Sequence, residues 1–400
     1  MTTKRSKNLF EYQDVIFVLN GVPLHSVSYF KRVIITLWGV VLLAFCTCFY
    51  YLEAMMMKNN VKELSVFFQQ IGILISALVD ILKLLAIAMH WKRLFSIRLR
   101  LESDEFQYEP YGSFQPDQLL SNSNKFCKRL TAFMLCYYMT AFSSHYSALS
   151  RLNLEQSDYY FQDNSSCYDY LPYYYHIPFD TNTIRRCEYA LIGMDIGMCI
   201  YIGYTLVYDN LFFALIIYLQ TYLQILAEAT KYIRERTLES LKLPADYDMF
   251  RDDENPALEK ATYYEIRKCC RNLLFLLRIQ EDIETVSTYI TMSQTISTLL
   301  TLATNLYTLS MTSPSDADFL GLLVYILLGI LQMTMICHFG YSVTETVSMS
   351  SIALHETFVI KRCSWISDSN NFGLYNANCK TFRITVSFLV PLSNNFTYSK

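Results

Sequence analysis

Long uncharged runs separated by charged, polar stretches set the pattern along this 400-residue chain. Val33 to Leu52 carries no charge, and Ser65 to Met89 is apolar apart from Asp80 and Lys83. Thr131 to Ser150 holds only His145, and Tyr189 to Ala227 is broken only by Asp195 and Asp209. Thr285 to Ser315 and Phe319 to Thr344 are free of charge. A hydrocarbon core about 30 Å thick takes roughly 20 helical residues. The pattern therefore predicts six membrane-spanning helices.

The fourth run is long enough, roughly 60 Å at 1.5 Å per residue, for two spans turning at Tyr208-Asp209-Asn210 or for one tilted helix. Charge decides between them. With one helix, the segments up to Arg32, 90–129, 228–282 and 345–383 hold 26 Lys and Arg, while 53–64, 151–188 and 316–318 hold five. Basic residues gather on the cytoplasmic side of a membrane protein, so the N-terminus is expected inside. G-protein-coupled receptors run the other way, and their Asp-Arg-Tyr and Asn-Pro-x-x-Tyr sequences are missing. Lys4, Arg5 and Lys7 lead into polar sequence rather than an apolar run, which does not fit a cleavable signal peptide.

The predicted organisation is a cytoplasmic N-terminus (1–32), a six-helix bundle (33–344) with an external loop (151–188) and a cytoplasmic loop (228–282), and a linker with a seventh helix (345–400). The fold class is an all-α membrane protein, a seven-transmembrane bundle with a cytoplasmic N-terminus. The seventh helix reads as truncated or misannotated. Ile384 to Leu392 offers nine residues, too few to cross about 30 Å, and Pro391 interrupts them.

Composition agrees. The chain is 52% hydrophobic and 17% charged, with a mean hydropathy of +0.20, where a soluble domain carries about 25% charged residues. A net charge of −3 leaves no footprint for nucleic acid. No Gly-rich phosphate loop, zinc spacing or nucleophile elbow occurs, so neither catalysis nor a cofactor is expected.

The external loop contains Asn164-Ser165-Ser166, a glycosylation acceptor. It also holds Cys167 and Cys187, which either close a disulfide or stay as two thiols. Cys269 and Cys270 lie on the cytoplasmic side and should be reduced. Tyr159, Tyr160, Phe161, Tyr168, Tyr170, Tyr173, Tyr174 and Tyr175 make the loop aromatic. They suit an interfacial belt or a lid over an apolar ligand site. Segment 228–282 reads as the continuation of two spans into an intracellular stalk, interrupted around Leu243-Pro244 and Asn255-Pro256. Asp80 and Lys83, three apart, share a helix face and read as an ion pair facing the bundle or as a gating element. Asp209 is expected at the inner interface, and Asp195 in the outer part of its span.

Several stretches resemble the insect odorant receptors. Tyr170-Leu171-Pro172-Tyr173 with Ile177-Pro178-Phe179-Asp180 is similar to that family's external-loop signature. Asp209-Asn210-Leu211-Phe212 fits its long fourth helix, and Ile279 to Tyr289 the entry to its fifth. Cys337-His338-Phe339-Gly340 with Val343-Thr344-Glu345 resembles the end of its sixth. Gly373-Leu374-Tyr375-Asn376-Ala377-Asn378 and Thr381-Phe382 resemble the approach to its seventh.

The resemblance implies the ligand-binding subunit of an odorant-gated, non-selective cation channel. Such a subunit forms a heterotetramer with the olfactory coreceptor in the plasma membrane of an olfactory neuron dendrite. The loop 228–282 resembles that of a tuning subunit, the coreceptor's being longer. The ligand would be a small volatile apolar odorant, held between the second, third and fourth helices. Tyr138, Phe142, His145, Tyr146 and Leu149 share one face of the third span. Phe67, Phe68 and Ile71 come from the outer end of the second, and Tyr189, Ile192, Gly193 and Met194 from the fourth. His145 could bond a ligand carbonyl or hydroxyl, or a neighbouring helix. A gustatory receptor is the alternative within the superfamily, although its terminal Thr-Tyr to Gln-Phe pattern is absent. A secondary transporter would show internal hydropathy symmetry and mid-membrane Gly/Pro breaks, which are not evident.

Overall fold

The computed structural model describes residues 9–23, 28–59, 64–103, 106–139, 167–169, 171, 175–244, 256–313 and 317–359. Among them the regular elements are helical, apart from one bridge between Tyr111 and Phe114. The helices are α1 (Glu11–Leu19), α2 (Tyr29–Asn59), α3 (Leu64–Met89), α4 (Trp91–Glu102), α5 (Pro116–Met139), α6 (Ile184–Lys231), α7 (Ile233–Ser240), α8 (Pro256–Met311) and α9 (Ala317–Val359). The outer part of the third span, Asn164, and everything beyond Val359, including the expected seventh helix, lie outside the described residues.

Each uncharged run that is described forms one helix. Among the described residues, four helices are long and apolar enough to cross a membrane: Tyr29–Lys58, Gln70–Met89, Ile184–Lys231 and Gly321–Ser348. The fourth run is a single helix of 48 residues, as charge required. At 1.5 Å per residue α6 is about 72 Å long and α8 about 84 Å, far beyond a 30 Å core. Both are therefore too long to lie wholly within such a core. From Tyr204 to Leu226 only Phe212, Gln220 and Gln224 of α6 reach the surface. A helix buried all round is a central pillar, and that burial is why its sequence stays apolar for so long.

Proline marks two of the starts. Pro116 and Pro256 occupy the first helical positions of α5 and α8, where a missing N–H costs nothing. The stop of α7 is a left-handed cap at Lys242, φ 55°. Leu243 N donates to Leu238 O and Lys242 N to Glu239 O, both at 2.9 Å, which satisfies carbonyls at the helix end.

Helix α8 is rich in Ser and Thr through its outer half, and these hydroxyls suit an apolar setting because the helix absorbs them. Thr295 donates to Thr291 O at 2.8 Å and Thr308 to Thr304 O at 3.0 Å, so these donors are satisfied within the helix. Against α3, Ser76 Oγ meets Thr301 Oγ1 at 3.3 Å. Gly72 permits this approach, since a Cβ there would sit 3.1 Å from Thr304 Oγ1.

Two short helices, α1 and α4, were not foreseen. Helix α1 tucks under the bundle. Tyr218 Oη donates to Leu9 O at 2.7 Å, Trp38 Nε1 donates to Leu19 O at 2.9 Å, and Arg98 pairs with Asp14 at 2.6 Å. The turn after α1 uses Gly21 at φ 73°, pressed against Gly39, where a Cβ would meet Gly21 O at 2.5 Å. Helix α4 buries Leu94, Ile97 and Leu101, a spacing of three and four that makes one helical face. Its basic face supplies Arg98 and Arg100, and Arg100 bonds Asp282 of α8 at 3.2 Å.

Candidate functional site

The outer end of the bundle is closed by the part of the external loop that is described. Cys167 and Cys187 form a disulfide, with Cα atoms 5.5 Å apart, which anchors the loop to the start of α6. Tyr175 Oη donates to Ala190 O at 2.7 Å, and His176 N donates to Leu52 O at 3.1 Å. The loop is thus fastened to α6 on one side and α2 on the other. Beneath it Leu171, Tyr175, Ile177, Leu191 and Met194 form a buried cluster against Phe49, Leu52, Ile73, Tyr168 and Tyr325. Phe49 and Tyr175 lie with ring centroids 5.4 Å apart. Gly197 makes room, because a Cβ there would press on the Phe49 ring at 3.0 Å. Of the loop aromatics, Tyr168 and Tyr175 have described side chains and both pack inward.

Met194 is the member of the expected ligand set at the centre of this cluster, fully buried. Phe67 and Ile71 are half-buried near the outer end of α3. Tyr189 and Ile192 lie on the other side of α6, 53% and 52% exposed, and Gly193 has no atom within 4 Å of where a Cβ would stand. The side chain of Phe68, and Phe142, His145, Tyr146 and Leu149, lie outside the described residues.

A second constellation sits deeper. Lys83 Nζ lies 2.9 Å from Asp209 Oδ1 and 3.4 Å from Asp80 Oδ1. Thr205 donates to Asp80 Oδ2 at 2.7 Å. Tyr138 Oη donates to Asp209 Oδ2 at 3.3 Å, and Gln332 Nε2 donates to the same oxygen at 3.2 Å. The Lys83 ammonium also lies 5.8 Å from the centre of the Tyr208 ring. One ammonium thus serves two carboxylates, and the network joins α3, α5, α6 and α9. The expected Asp80–Lys83 pair is present. Asp209 was expected at the inner interface, and the structure shows it paired inside the bundle. It is 4% exposed because Lys83 on α3 supplies the counter-charge that lets it stay inside. Tyr138, expected to face ligand, spends its hydroxyl on this network. Tyr137 beside it donates to the Leu328 carbonyl of α9.

Sequence reasoning missed Glu53. It ended the first span at Leu52, where charge begins, and placed Glu53 in a loop. Helix α2 continues to Asn59, and Glu53 is 3% exposed within it. Its Oε2 has no hydrogen-bond partner among the described residues. Gln70 of α3, 1% exposed, lies within the second predicted span but was not singled out.

Nothing in the stalk suggests chemistry. Burial, with a smaller contribution from Cys269, pushes the Cys270 thiol up to about 11. Burial also raises Cys269. Neither is a thiolate nucleophile at neutral pH. No group of His, Cys, Asp and Glu among the described residues could hold a metal ion.

A family model described as 7tm Odorant receptor matches residues 63–357. No curated protein matches the chain. Among solved structures, the insect olfactory receptor OR5 from Machilis hrabei aligns with a TM-score of 0.64 at 11% identity, covering 96% of this chain and 98% of that one. The same receptor in complex with eugenol aligns with a TM-score of 0.62 at 13% identity, covering 96% and 99%.

Proposed function

Because the chain belongs to the 7tm odorant receptor family, we propose that it is the ligand-binding subunit of an odorant-gated, non-selective cation channel. Its partner is the olfactory coreceptor, and its place is the plasma membrane of an olfactory neuron dendrite. The observation that carries this reading is the family match, which runs from the start of α3 into the last turns of α9. The ligand is a small volatile apolar odorant, in keeping with the eugenol held by the Machilis hrabei receptor.

The proposed lining combines Met194, Phe67 and Ile71 with Phe68, Phe142, His145, Tyr146 and Leu149, and leaves out Tyr189 and Ile192, which lie on the other side of α6. A mostly apolar, aromatic pocket with few polar groups is what such a ligand needs. Ligand shifts a channel only by its differential affinity for the open and closed states. The Asp80–Lys83–Asp209 network supports a route for that shift. It ties α6, which carries Met194, to α9 through Gln332. No observation favours a gustatory receptor or a transporter.

The test is co-expression with the coreceptor in oocytes against an odorant panel, using this chain and a version with a complete seventh helix. Odorant-evoked inward current that requires both subunits is the expected result. Surface expression without current from either version overturns the reading.

A further inference from the structure

Glu53 buries a carboxyl oxygen, Oε2, that has no hydrogen-bond partner among the described residues. A carboxylate taken out of water is costly unless it is paired or hydrogen-bonded. Yet Glu53 is 3% exposed, Oε2 lacks a hydrogen-bond partner, and no basic side chain forms an ion pair with it among the described residues. Its neighbourhood is aromatic. Phe49 lies one helical turn earlier on the same face of α2 and packs against Tyr175. Tyr325 of α9 lies within electrostatic range of Glu53 and packs, like Phe49, against the cluster under the lid. The carbonyl of Leu52, the preceding residue, holds the loop through His176. The carboxylate therefore sits at the edge of the proposed ligand site, below the tethered loop.

A carboxylate among aromatic rings is the chemistry that recognises an ammonium group. The negative oxygen takes the N–H donors, and the ring faces stabilise the cation. An alcohol or hydrocarbon would leave the carboxylate without a counter-charge. We infer that Glu53 anchors the amino group of the ligand, and that this receptor's ligands are small amines with an apolar body. The inference rests on the odorant-binding reading above and specifies the chemical class that the site selects.

The test measures binding directly, without current. The full chain is purified in lipid nanodiscs and titrated with 2-phenylethylamine, 2-phenylethanol and ethylbenzene, for the wild type, Glu53→Gln and Glu53→Leu. The expected result is that the wild type binds the amine at least tenfold tighter than the alcohol, and that Glu53→Gln removes about ten- to hundredfold of amine affinity while leaving the alcohol unchanged. With no ligand present, both variants should unfold at a higher temperature than the wild type, because they remove a buried group without a partner. A purely structural Glu53 predicts the opposite shift.

Equal or tighter binding of the alcohol by the wild type overturns the inference, as does an amine preference that survives Glu53→Gln. Absence of binding by any of the three probes overturns it too. The odorant panel in oocytes reads the channel separately. Current evoked by non-amine odorants alone would sink the amine class and leave the channel reading standing.

Discussion

The inner and outer halves of this bundle are held in different ways. At the inner end the buried tyrosines give their hydroxyls to backbone carbonyls or accept from neighbouring amides. Tyr222 donates to Leu101 O at 2.6 Å, Tyr218 to Leu9 O at 2.7 Å, and Asn272 donates to Tyr108 Oη at 2.8 Å. Helices α1, α4, α5, α6, α8 and α9 all contribute to one continuous apolar cluster there. The outer half has a smaller cluster under a loop whose described residues are fastened through the Cys167–Cys187 disulfide and the hydrogen bonds of Tyr175 and His176. It buries Glu53 Oε2 without a hydrogen-bond partner among the described residues. The proposed ligand end keeps a buried carboxyl oxygen without a partner among the described residues, as binding regions drawn from the less stable part of a fold do.

Removing the charge at the boundary between the halves should break this arrangement most severely. Lys83→Met leaves Asp80 and Asp209 buried with no ammonium between them. Losing one side of a buried ion pair costs about 3–5 kcal/mol. Thermal unfolding of the nanodisc-embedded chain should show a large drop in midpoint, and little protein should reach the cell surface. Adding Asp209→Asn should restore part of the loss, because one fewer uncompensated charge remains. No drop in Lys83→Met would mean that the two carboxylates do not depend on Lys83.

The outer half should be sensitive at its tether. Cys187→Ser opens the link between the loop and α6, and losing a native disulfide costs about 2–4 kcal/mol. A membrane-impermeant maleimide should then label Cys167 on intact cells, which it does not in the wild type. The inner cluster should keep its protection from hydrogen exchange. A uniform loss of protection at both ends would show that the two halves are one cooperative unit.

Much of this division was legible in the sequence, and its limits have physical causes. Absence of charge located the membrane helices, and counting Lys and Arg resolved the fourth run into one helix. Both signals are local, set by the lipid that each segment meets. What escaped depended on partners distant in the chain. The N-terminal segment looked polar because Glu11 and Asp14 interrupt it; its fold comes from Arg98 and Tyr218, far along the sequence. The pairing of Asp209 was not legible because its counter-ion, Lys83, belongs to another helix. Glu53 was misplaced because hydropathy reports where charge begins, whereas the helix ends beyond it. Cys167 and Cys187 could be paired only once the loop was seen to fold back on α6.

Tyr138 offers the finest test of the boundary, because the sequence assigned it to ligand and the structure gives its hydroxyl to Asp209. Tyr138→Phe keeps the ring and removes only the donor. Gln332 Nε2 still donates to the same carboxylate oxygen, so Asp209 Oδ2 is not left bare. The cost should be near that of a single intramolecular hydrogen bond, about 0.5–1.5 kcal/mol. If Tyr138 belongs to the network, the variant should lower the unfolding temperature slightly and leave the ranking of odorants across the panel unchanged. If it belongs to the ligand site, the order should be reversed, with a stable protein and an altered ranking. A double-mutant cycle with Gln332→Leu separates the two, since only residues sharing the network show a coupling energy.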